Sequence, residues 1–391
     1  MANFFANTAQ WLQLLSVGWL VRDLTDSFAS SGLLVVAVGG MTTLPTLVVG
    51  PWAGVLGDRV NRRKLVMAVQ SFMTVAAITF AFVVHSGQIE WWHAYIYVFV
   101  SGICWSISIT VRQTLVANTV PREALVNAYA SNTLTITGTR MIGPFIGGVL
   151  ITTIGFTWNF AIEASLYAAT VLVFWPMKTP FLQHRPADSN ASPLSDFLEG
   201  LRYVRKQERV IWNLMVVGLI PNVLLHPVWF VLPVFTVEVL HRTADTGGVL
   251  LAVTGFGGLL SALTIASVGF GANRGLICLW AVLVSSAAVV LFAYSPWLVP
   301  AAILIGLMSL AQATFRTSSS TLIQSMVPDH LRSRITSLHL YSQAFVFMSS
   351  LAVGLLVDLT TVVVALAAVG IAGLVLGSIS YLVLPRVRQA R

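Results

Sequence analysis

Charged residues are scarce in this chain. Asp, Glu, Lys and Arg make up 9% of its 391 residues, whereas an average soluble domain carries about 25%. Hydrophobic residues make up 57%, and the mean hydropathy is +0.84. The scarcity of charge excludes an ordinary soluble domain, and the near-continuous apolar runs exclude a porin-like barrel, whose strands alternate apolar and polar residues. The composition therefore predicts an all-α integral membrane protein.

Cysteine is also rare, and several catalytic motifs are missing. Cys104 and Cys278 both lie inside apolar runs, which favours buried packing over a disulfide or a metal site. The sequence contains no phosphate-binding P-loop, no Cys-x-x-Cys, no His-Glu-x-x-His and no Gly-x-Ser-x-Gly. We therefore expect that the protein is not an enzyme, and that it needs no cofactor and no metal.

Apolar runs between polar breaks predict twelve membrane spans. They lie near residues 2–21, 32–56, 65–84, 94–117, 126–154, 158–176, 210–237, 247–270, 276–294, 297–325, 335–357 and 362–384. One long polar segment divides them six and six. This predicts an N-terminal six-helix bundle at 1–176, a linker with an amphipathic helix at 177–209, and a C-terminal six-helix bundle at 210–391.

The octapeptide GDRVNRRK at 57–64 indicates how the chain is oriented. It holds four of the 22 Lys and Arg residues, and it joins two stretches without charge, which predicts a tight turn between helices. Segments on its side of the membrane hold 17 Lys and Arg, against two on the other side. By the positive-inside rule, the octapeptide, the linker and both termini are cytoplasmic. The net charge of +8 reflects this distribution and does not imply a nucleic-acid partner.

The two halves carry a weak internal repeat. Val120-Pro121 recurs at Val327-Pro328, and Asn61-Arg62 recurs at 273–274, with offsets of 207 and 212 residues. Each pair lies at the same position between predicted helices of its half. Such a duplication is typical of transporters that rock one half against the other around a central site.

Five sequence stretches carry a resemblance to a known family. They are GDRVNRRK at 57–64, VGWLVRDLTDS at 17–27, VPREALVNA at 120–128, EGLRYV at 199–204 and LIQSMVPDHLRSR at 322–334. Together with twelve spans, they identify the chain as similar to the major facilitator superfamily. More narrowly, the chain resembles the drug and siderophore efflux branch, which includes enterobactin exporters.

The resemblance implies alternating access by two six-helix bundles in a bacterial inner (plasma) membrane. It implies export of an amphiphilic small molecule, such as a drug, a siderophore or a secondary metabolite, by proton antiport. An importer or facilitator of a metabolite is the alternative within this class. A non-transporting membrane sensor or assembly partner is the alternative of another class. We expect a monomer whose partners are the substrate, protons and the lipid bilayer.

The resemblance also implies a gate at the cytoplasmic face. Asp58 lies at the inner boundary, and Arg112 lies about six residues, or roughly 9 Å, from the inner end of the fourth span. A boundary ion pair that forms in one conformation and breaks in the other would make a two-state gate. The alternative is that these charges set the topology and that Arg112 snorkels toward water. The proposed gating residues are Gly57, Asp58, Arg59, Arg62, Arg63 and Arg112.

Three ionisable residues inside predicted spans are candidates for proton coupling. Glu163 is the best of them, because a low-dielectric environment favours the neutral form of a carboxyl group and lets it load and release protons. An inert acid is the alternative. His226 titrates near neutral pH when unperturbed, and a hydrogen-bonded structural histidine is its alternative. Arg140 lies about 21 Å into the fifth span, where a cation must face protein or water. Whether Arg140 pairs with Glu163 does not follow from the sequence.

Two further features concern helix packing and the substrate. The antiporter motif of helix 5 is partly matched by Gly143, Pro144, Gly147 and Gly148, whereas Ala130 and Thr139 stand where its earlier glycines would be. In the superfamily, helices 1, 4, 7 and 10 line the cavity. Here they offer Trp11, Gln13, Trp105, Asn222, Trp229, Gln312, Phe315 and Arg316. Mostly aromatic walls with few polar groups suit loosely recognised amphiphiles. In helix 7, Pro221, Pro227 and Pro233 predict kinks that expose backbone carbonyl groups.

The gate hypothesis predicts that Asp58→Asn abolishes transport. Removing the carboxylate charge removes the interaction that would distinguish the two conformations. Expression level and folding should stay close to those of the wild type, because the residue lies at the membrane boundary. The measurement is substrate flux in cells or vesicles. Full activity in the variant would leave the octapeptide with a topological role alone.

Overall fold

The computed structural model describes residues 1–46, 49, 60–177, 201–205, 208–268, 273–327, 335 and 345–390. Gly57, Asp58 and Arg59 of the octapeptide, and most of the predicted linker, lie outside these ranges. Every regular element within them is helical. The helices are α1 Ala2–Leu24, α2 Ser31–Met41, α3 Arg62–His85, α4 Trp91–Thr119, α5 Leu125–Phe174, α6 Arg209–Leu219, α7 Val228–Glu238, α8 Ala244–Val268, α9 Arg274–Ala293, α10 Leu298–Met326, α11 Val346–Leu359, α12 Val362–Val383 and α13 Pro385–Arg388.

The described helices confirm the predicted all-α membrane class. Within the part of the chain that the structure describes, eight helical segments are long and apolar enough to cross a membrane, and two shorter apolar helices correspond to α2 and α11. Many large apolar side chains point outward, as expected for a surface that faces lipid; Phe82 and Leu382, for example, are 69% and 74% exposed.

Helix α5 contains two of the predicted spans. Its regular geometry is interrupted at Gly155, where φ is 81° and ψ is 175°, a conformation that favours glycine. The Asn159 side chain donates a hydrogen bond to the carbonyl oxygen of Gly147 at 2.9 Å. Residues twelve apart in a straight helix are about 18 Å apart, so the chain turns back on itself at Gly155. We call residues 125–154 the first arm of α5 and residues 156–174 its second arm.

The repeated dipeptides occupy equivalent helix ends. Asn61 is the N-cap of α3, where its side chain accepts a hydrogen bond from the backbone of Lys64 at 3.1 Å, and Asn273 is the N-cap of α9. Val120 and Val327 each follow a 29-residue helix, α4 and α10, and both are extended. An extended residue is what a following proline requires. The repeat thus extends from sequence to local structure.

The proline-rich seventh span is irregular at Pro221 and Pro227, as its sequence predicts, whereas Pro233 lies inside the helix α7. Helix α6 ends at Leu219, a π-helical turn covers Ile220–Leu224, and α7 begins at Val228 with Pro227 as its N-cap. Residues 225–227 are not helical. Since proline lacks the backbone N–H that a helix uses, each break leaves carbonyl groups outside the regular ladder.

The first arm of α5 packs backbone to backbone against α8. A Cβ atom added to Gly148 would lie 2.6 Å from the carbonyl oxygen of Ala244, and one added to Gly248 would lie 2.6 Å from that of Pro144. The contact extends to Gly255, whose added Cβ would lie 2.9 Å from the carbonyl carbon of Arg140. Beyond this point, at Gly138 and Gly258, an added Cβ would meet no described atom within 4 Å.

A second close contact joins α2 to α11. A Cβ atom on Gly32 would lie 2.6 Å from Oδ1 of Asp358, and one on Gly40 would lie 2.6 Å from Cβ of Ser350. The backbone N–H of Leu33 donates a hydrogen bond to Oδ2 of Asp358 at 3.0 Å. A carboxylate in the first turn of a helix is favourably placed against the helix dipole. Helices α2 and α11 thus pack closely from the beginning of α2 to near its end, and the first arm of α5 meets the beginning of α8.

Gly248→Ala is expected to destabilise the protein. The added methyl group would lie 2.6 Å from the carbonyl oxygen of Pro144, so α8 and the first arm of α5 would have to separate. Overpacking of this kind costs about 1–3 kcal/mol. Thermal unfolding of the detergent-purified protein should therefore begin a few degrees lower than in the wild type.

Gly258→Ala is the matched control on the same helix. Its methyl group would meet no described atom within 4 Å, and alanine has a higher helix propensity than glycine. This variant should unfold at the wild-type temperature or slightly above it. An equal loss of stability in both variants would contradict the proposed close contact.

Candidate functional site

The helix-5 motif determines where the first arm of α5 lies. A Cβ atom on Gly143 would lie 2.8 Å from Cβ of Trp11 on α1, and one on Gly147 would lie 3.4 Å from Leu12. Gly148 faces α8 instead, and the carbonyl oxygen of Pro144 approaches Gly248. The four motif residues therefore let one helix arm pack tightly between α1 and α8.

Arg140 lies about one turn before this motif and points between two tryptophans. Its guanidinium carbon is 5.1 Å from the ring centroid of Trp11 and 4.1 Å from that of Trp229 on α7. Both distances are typical of cation–π contacts. The residue is 8% exposed, and its Nε and Nη2 atoms have no hydrogen-bond partner. Aromatic faces surround this buried cation without satisfying its donors.

Two further basic side chains lie near Arg140. Arg316 on α10 is close enough to interact electrostatically with Arg140, and both arginines act on His226. The His226 ring centroid lies 4.4 Å from that of Trp229 and 5.5 Å from that of Phe230. Arg316 has an exposed side chain, so open space adjoins the group. The structure thus assembles Arg140 of α5, His226 of the break between α6 and α7, and Arg316 of α10.

Glu163 belongs to a different network. It is fully buried, and its Oε1 accepts a hydrogen bond from the Tyr97 hydroxyl at 2.6 Å, whereas Oε2 has no hydrogen-bond partner. Tyr167 lies within electrostatic range of Glu163. Within the described residues, Glu163 and Arg140 form no ion pair; the salt bridge found there joins Arg22 to Asp26 at 3.0 Å. The pairing that the sequence left open is therefore absent.

A polar contact near Glu163 connects α4 to α1. The Ser101 hydroxyl donates a hydrogen bond to Oε1 of Gln13 at 2.6 Å, and the Nε2 atom of Gln13 has no partner. Tyr97, Ser101 and Tyr167 were missed at the level of sequence, because neutral polar residues in apolar helices carry no charge or motif that marks them. A same-face spacing of Tyr97 and Ser101, four residues apart, was the one available signal.

Arg112 is buried within the N-terminal half and does not snorkel. It is 2% exposed, its guanidinium lies 5.3 Å from the Trp105 ring centroid, and its Nη1 is 3.5 Å from Oδ1 of Asn3. The Asn3 amide in turn donates to Oδ1 of Asn132 at 2.7 Å. Because Asp58 lies outside the described residues, the predicted gate pair stays a prediction.

The remaining candidates differ in their surroundings. Arg63 donates a hydrogen bond from Nη2 to the carbonyl oxygen of Trp175 at 2.6 Å, and Arg62 is the first residue of α3. Asn222 is half-buried in the π-helical turn, and Gln312 is 5% exposed with an unpartnered Nε2 atom. Phe315 is fully buried and packs against Gly218, so its side chain belongs to the core of the C-terminal half.

Comparison with known proteins places the whole chain in one family. It matches the family described as transmembrane secretion effector, a group within the major facilitator superfamily, over residues 1–390. It is 25% identical over 393 residues to the enterobactin exporter EntS of Escherichia coli O81 (strain ED1a), which covers 98% of this chain and 92% of EntS. The enterobactin exporter of Escherichia coli O139:H28 is 24% identical over the same shares of both chains.

Solved transporter structures share the fold at low sequence identity. A POT family transporter in complex with a thioalcohol-conjugated peptide has a TM-score of 0.79 at 10% identity, over 99% of this chain and 96% of that one. The xylose transporter XylE from E. coli, in an inward-open conformation, has a TM-score of 0.73 at 12% identity, over 98% and 95%. The chain therefore belongs to the transmembrane secretion effector family of the major facilitator superfamily, and it is a multi-pass inner-membrane transporter, not an enzyme.

Proposed function

We propose that this chain exports an amphiphilic small molecule, such as a drug, a siderophore or a secondary metabolite, by proton-coupled antiport. The observation that carries the proposal is the uneven contact between the halves. The first arm of α5 contacts α8 closely at Gly148, Gly248 and Gly255, whereas a Cβ atom added at Gly138 or Gly258 would meet no described atom within 4 Å. A transporter that alternates access needs such an arrangement, closed at one end of a central site and open at the other.

The proposed architecture has two six-helix bundles, at 1–176 and 210–391, joined by a cytoplasmic linker at 177–209. In this count of twelve spans, the two arms of α5 are two spans, and α6 and α7 together form one broken span. With both termini in the cytoplasm, the contact between α2 and α11 lies at the outer face. The closed end is then the outer end, and the described conformation opens inward. We further propose that one monomer suffices, since each bundle contributes half of the central site.

The proposed substrate site lies between α1, α4, α7 and α10. Trp11, Trp105 and Asn222 are partly exposed, and Arg316 is exposed. Trp229, Gln13 and Gln312 lie on the same helices, and their side chains are more buried than those of the first four residues. We leave Phe315 out of this site, because its side chain is fully buried in the core. Aromatic faces and few polar groups favour amphiphilic substrates.

Export is favoured over import by the relatives. The family description is that of a secretion effector, and the curated relatives are enterobactin exporters at 24–25% identity. An importer or a facilitator would keep the same fold, because fold alone does not decide direction. Direction therefore has to be measured.

Inverted membrane vesicles test the direction and the coupling together. We expect vesicles that contain the protein to accumulate at least one member of a panel of enterobactin, ethidium and carboxyfluorescein when their interior is acidic. Collapse of the proton gradient should abolish this accumulation. Vesicles without the protein are the control. Equilibration that ignores the gradient would indicate a facilitator, and energised uptake into intact cells would indicate an importer.

Glu163→Gln tests the proposed proton carrier. The amide keeps an oxygen that can accept from the Tyr97 hydroxyl but cannot carry a proton, so folding should be preserved. A buried carboxyl group without a cationic partner is costly to ionise, and its proton release would have to accompany a conformational change. We expect gradient-driven accumulation to fall to the uncoupled level, while substrate binding to the purified protein stays within about threefold of wild type.

Glu238→Gln is the matched control for this experiment. Glu238 is the last residue of α7 and lies near the charged side chains of Arg22, Asp26 and Asp358. This variant should keep coupled transport. If Glu163→Gln also retained full coupling, Glu163 would have a packing role, and another group would have to carry the proton.

A further inference from the structure

We propose that the site between Trp11, Trp229 and Arg316 binds an organic anion that carries a flat apolar or aromatic body. The inference rests on the proposed transport function and specifies its substrate class. Its basis is a set of buried hydrogen-bond donors that no acceptor among the described residues satisfies, beside positive charge and open space.

The unsatisfied donors come from three buried side chains, and Arg316 adds a second positive charge beside them. The atoms without a hydrogen-bond partner are Nε and Nη2 of Arg140, the indole Nε1 of Trp229 and Nε2 of Gln312. These side chains are 8%, 7% and 5% exposed, respectively. Arg316 follows Gln312 by four residues on α10, so both lie on one face of that helix. Most buried polar groups in proteins are hydrogen-bonded, and each exception requires an explanation. A ligand rich in acceptors would satisfy these donors together.

Charge at this site has one sign. Arg140 and Arg316 interact electrostatically, and His226 lies in the field of both. Within the described ranges, neither arginine forms an ion pair with a carboxylate. The acidic residues Glu163 on α5 and Glu238 on α7 make other contacts. Glu163 accepts a hydrogen bond from Tyr97, and Glu238, at the end of α7, lies near Arg22 and Asp358. Two guanidinium groups without a counter-charge in a low-dielectric region favour an anionic occupant.

The aromatic groups specify the body of the ligand. The guanidinium carbon of Arg140 lies 5.1 Å from the ring centroid of Trp11 and 4.1 Å from that of Trp229. Arg140 extends from the arm of α5 that the glycine motif packs against α1, so the cation lies near both halves of the molecule. A carboxylate, sulfonate or phosphate at Arg140 and Arg316 would leave a flat apolar body beside the tryptophan faces. Recognition would thus require both bundles at once.

A matched set of ligands tests this proposal on the purified full-length protein. The probes are 2-naphthoate, the neutral 2-naphthamide and the cationic 2-naphthylmethylamine, which share one ring system and differ in charge. Binding is measured by calorimetry and by the shift in thermal unfolding temperature. We expect 2-naphthoate to bind at least about tenfold more tightly than the amide, and the amine to bind most weakly.

Variants identify the residues that discriminate between ligands of different charge. Arg316→Gln should remove the preference for 2-naphthoate over 2-naphthamide, and Arg316→Lys should restore most of it, because lysine returns the charge without the planar fork. Arg140→Gln should act in the same direction, and its unfolding temperature without ligand reports whether it folds. Arg242→Gln, an exposed position between α7 and α8, is the control and should bind like wild type.

Several outcomes would overturn the anion site. They are equal binding of the three probes, tighter binding of the amine, absence of saturable binding by 2-naphthoate, or an unchanged preference in Arg316→Gln. The failure of this inference is distinguishable from failure of the proposed function. Gradient-driven accumulation of a neutral or cationic amphiphile, with no preference for anions, would leave export intact and remove the anion site. Selective 2-naphthoate binding without flux in either direction would support the anion site and contradict the proposed transport function.

Discussion

The close backbone contact between the first arm of α5 and α8 is the constraint on which the site depends. Gly148 and Gly248 allow two helices of opposite halves to meet without side chains between them. Association of helices in lipid depends on such close packing, because lipid tails are as apolar as the side chains. The same arm carries Arg140, about two turns from Gly148. The position of the buried cation is therefore fixed by the contact that joins the halves.

The buried side chains of Glu163 and Arg140 lie in separate environments. Glu163 is enclosed within the N-terminal half, where neutral hydroxyl groups surround it, and Arg140 is enclosed by tryptophan faces between the halves. An Arg140–Glu163 pair would have neutralised both charges and left neither available for a ligand or a proton. Their separation keeps the proposed proton carrier and the proposed anion-binding group in distinct environments. Conformational change could then couple the two sites without direct contact between them.

Much of the fold followed from local patterns. Hydropathy predicted the membrane helices, the Asn-Arg and Val-Pro pairs predicted equivalent helix ends in the two halves, and the prolines of the seventh span predicted its break. The hairpin at Gly155 was predicted as two spans with a longer connection. The candidate site was less predictable: Arg140, His226 and Arg316 were each named, but their proximity was not, and Phe315 was expected at the cavity although it is buried in the core.

The sequence by itself determined the class of protein, the helical segments and the family, because hydrophobic length, helix caps and motifs are properties of contiguous residues. The tertiary structure decided the partners of the buried charges. Helical spacing fixes which residues share a face, but it does not fix which faces of distant helices meet. Arg140 met Trp11 where the glycine motif packs the first arm of α5 against α1, and it met Trp229 on α7. Glu163, on the second arm of α5, met Tyr97 on α4.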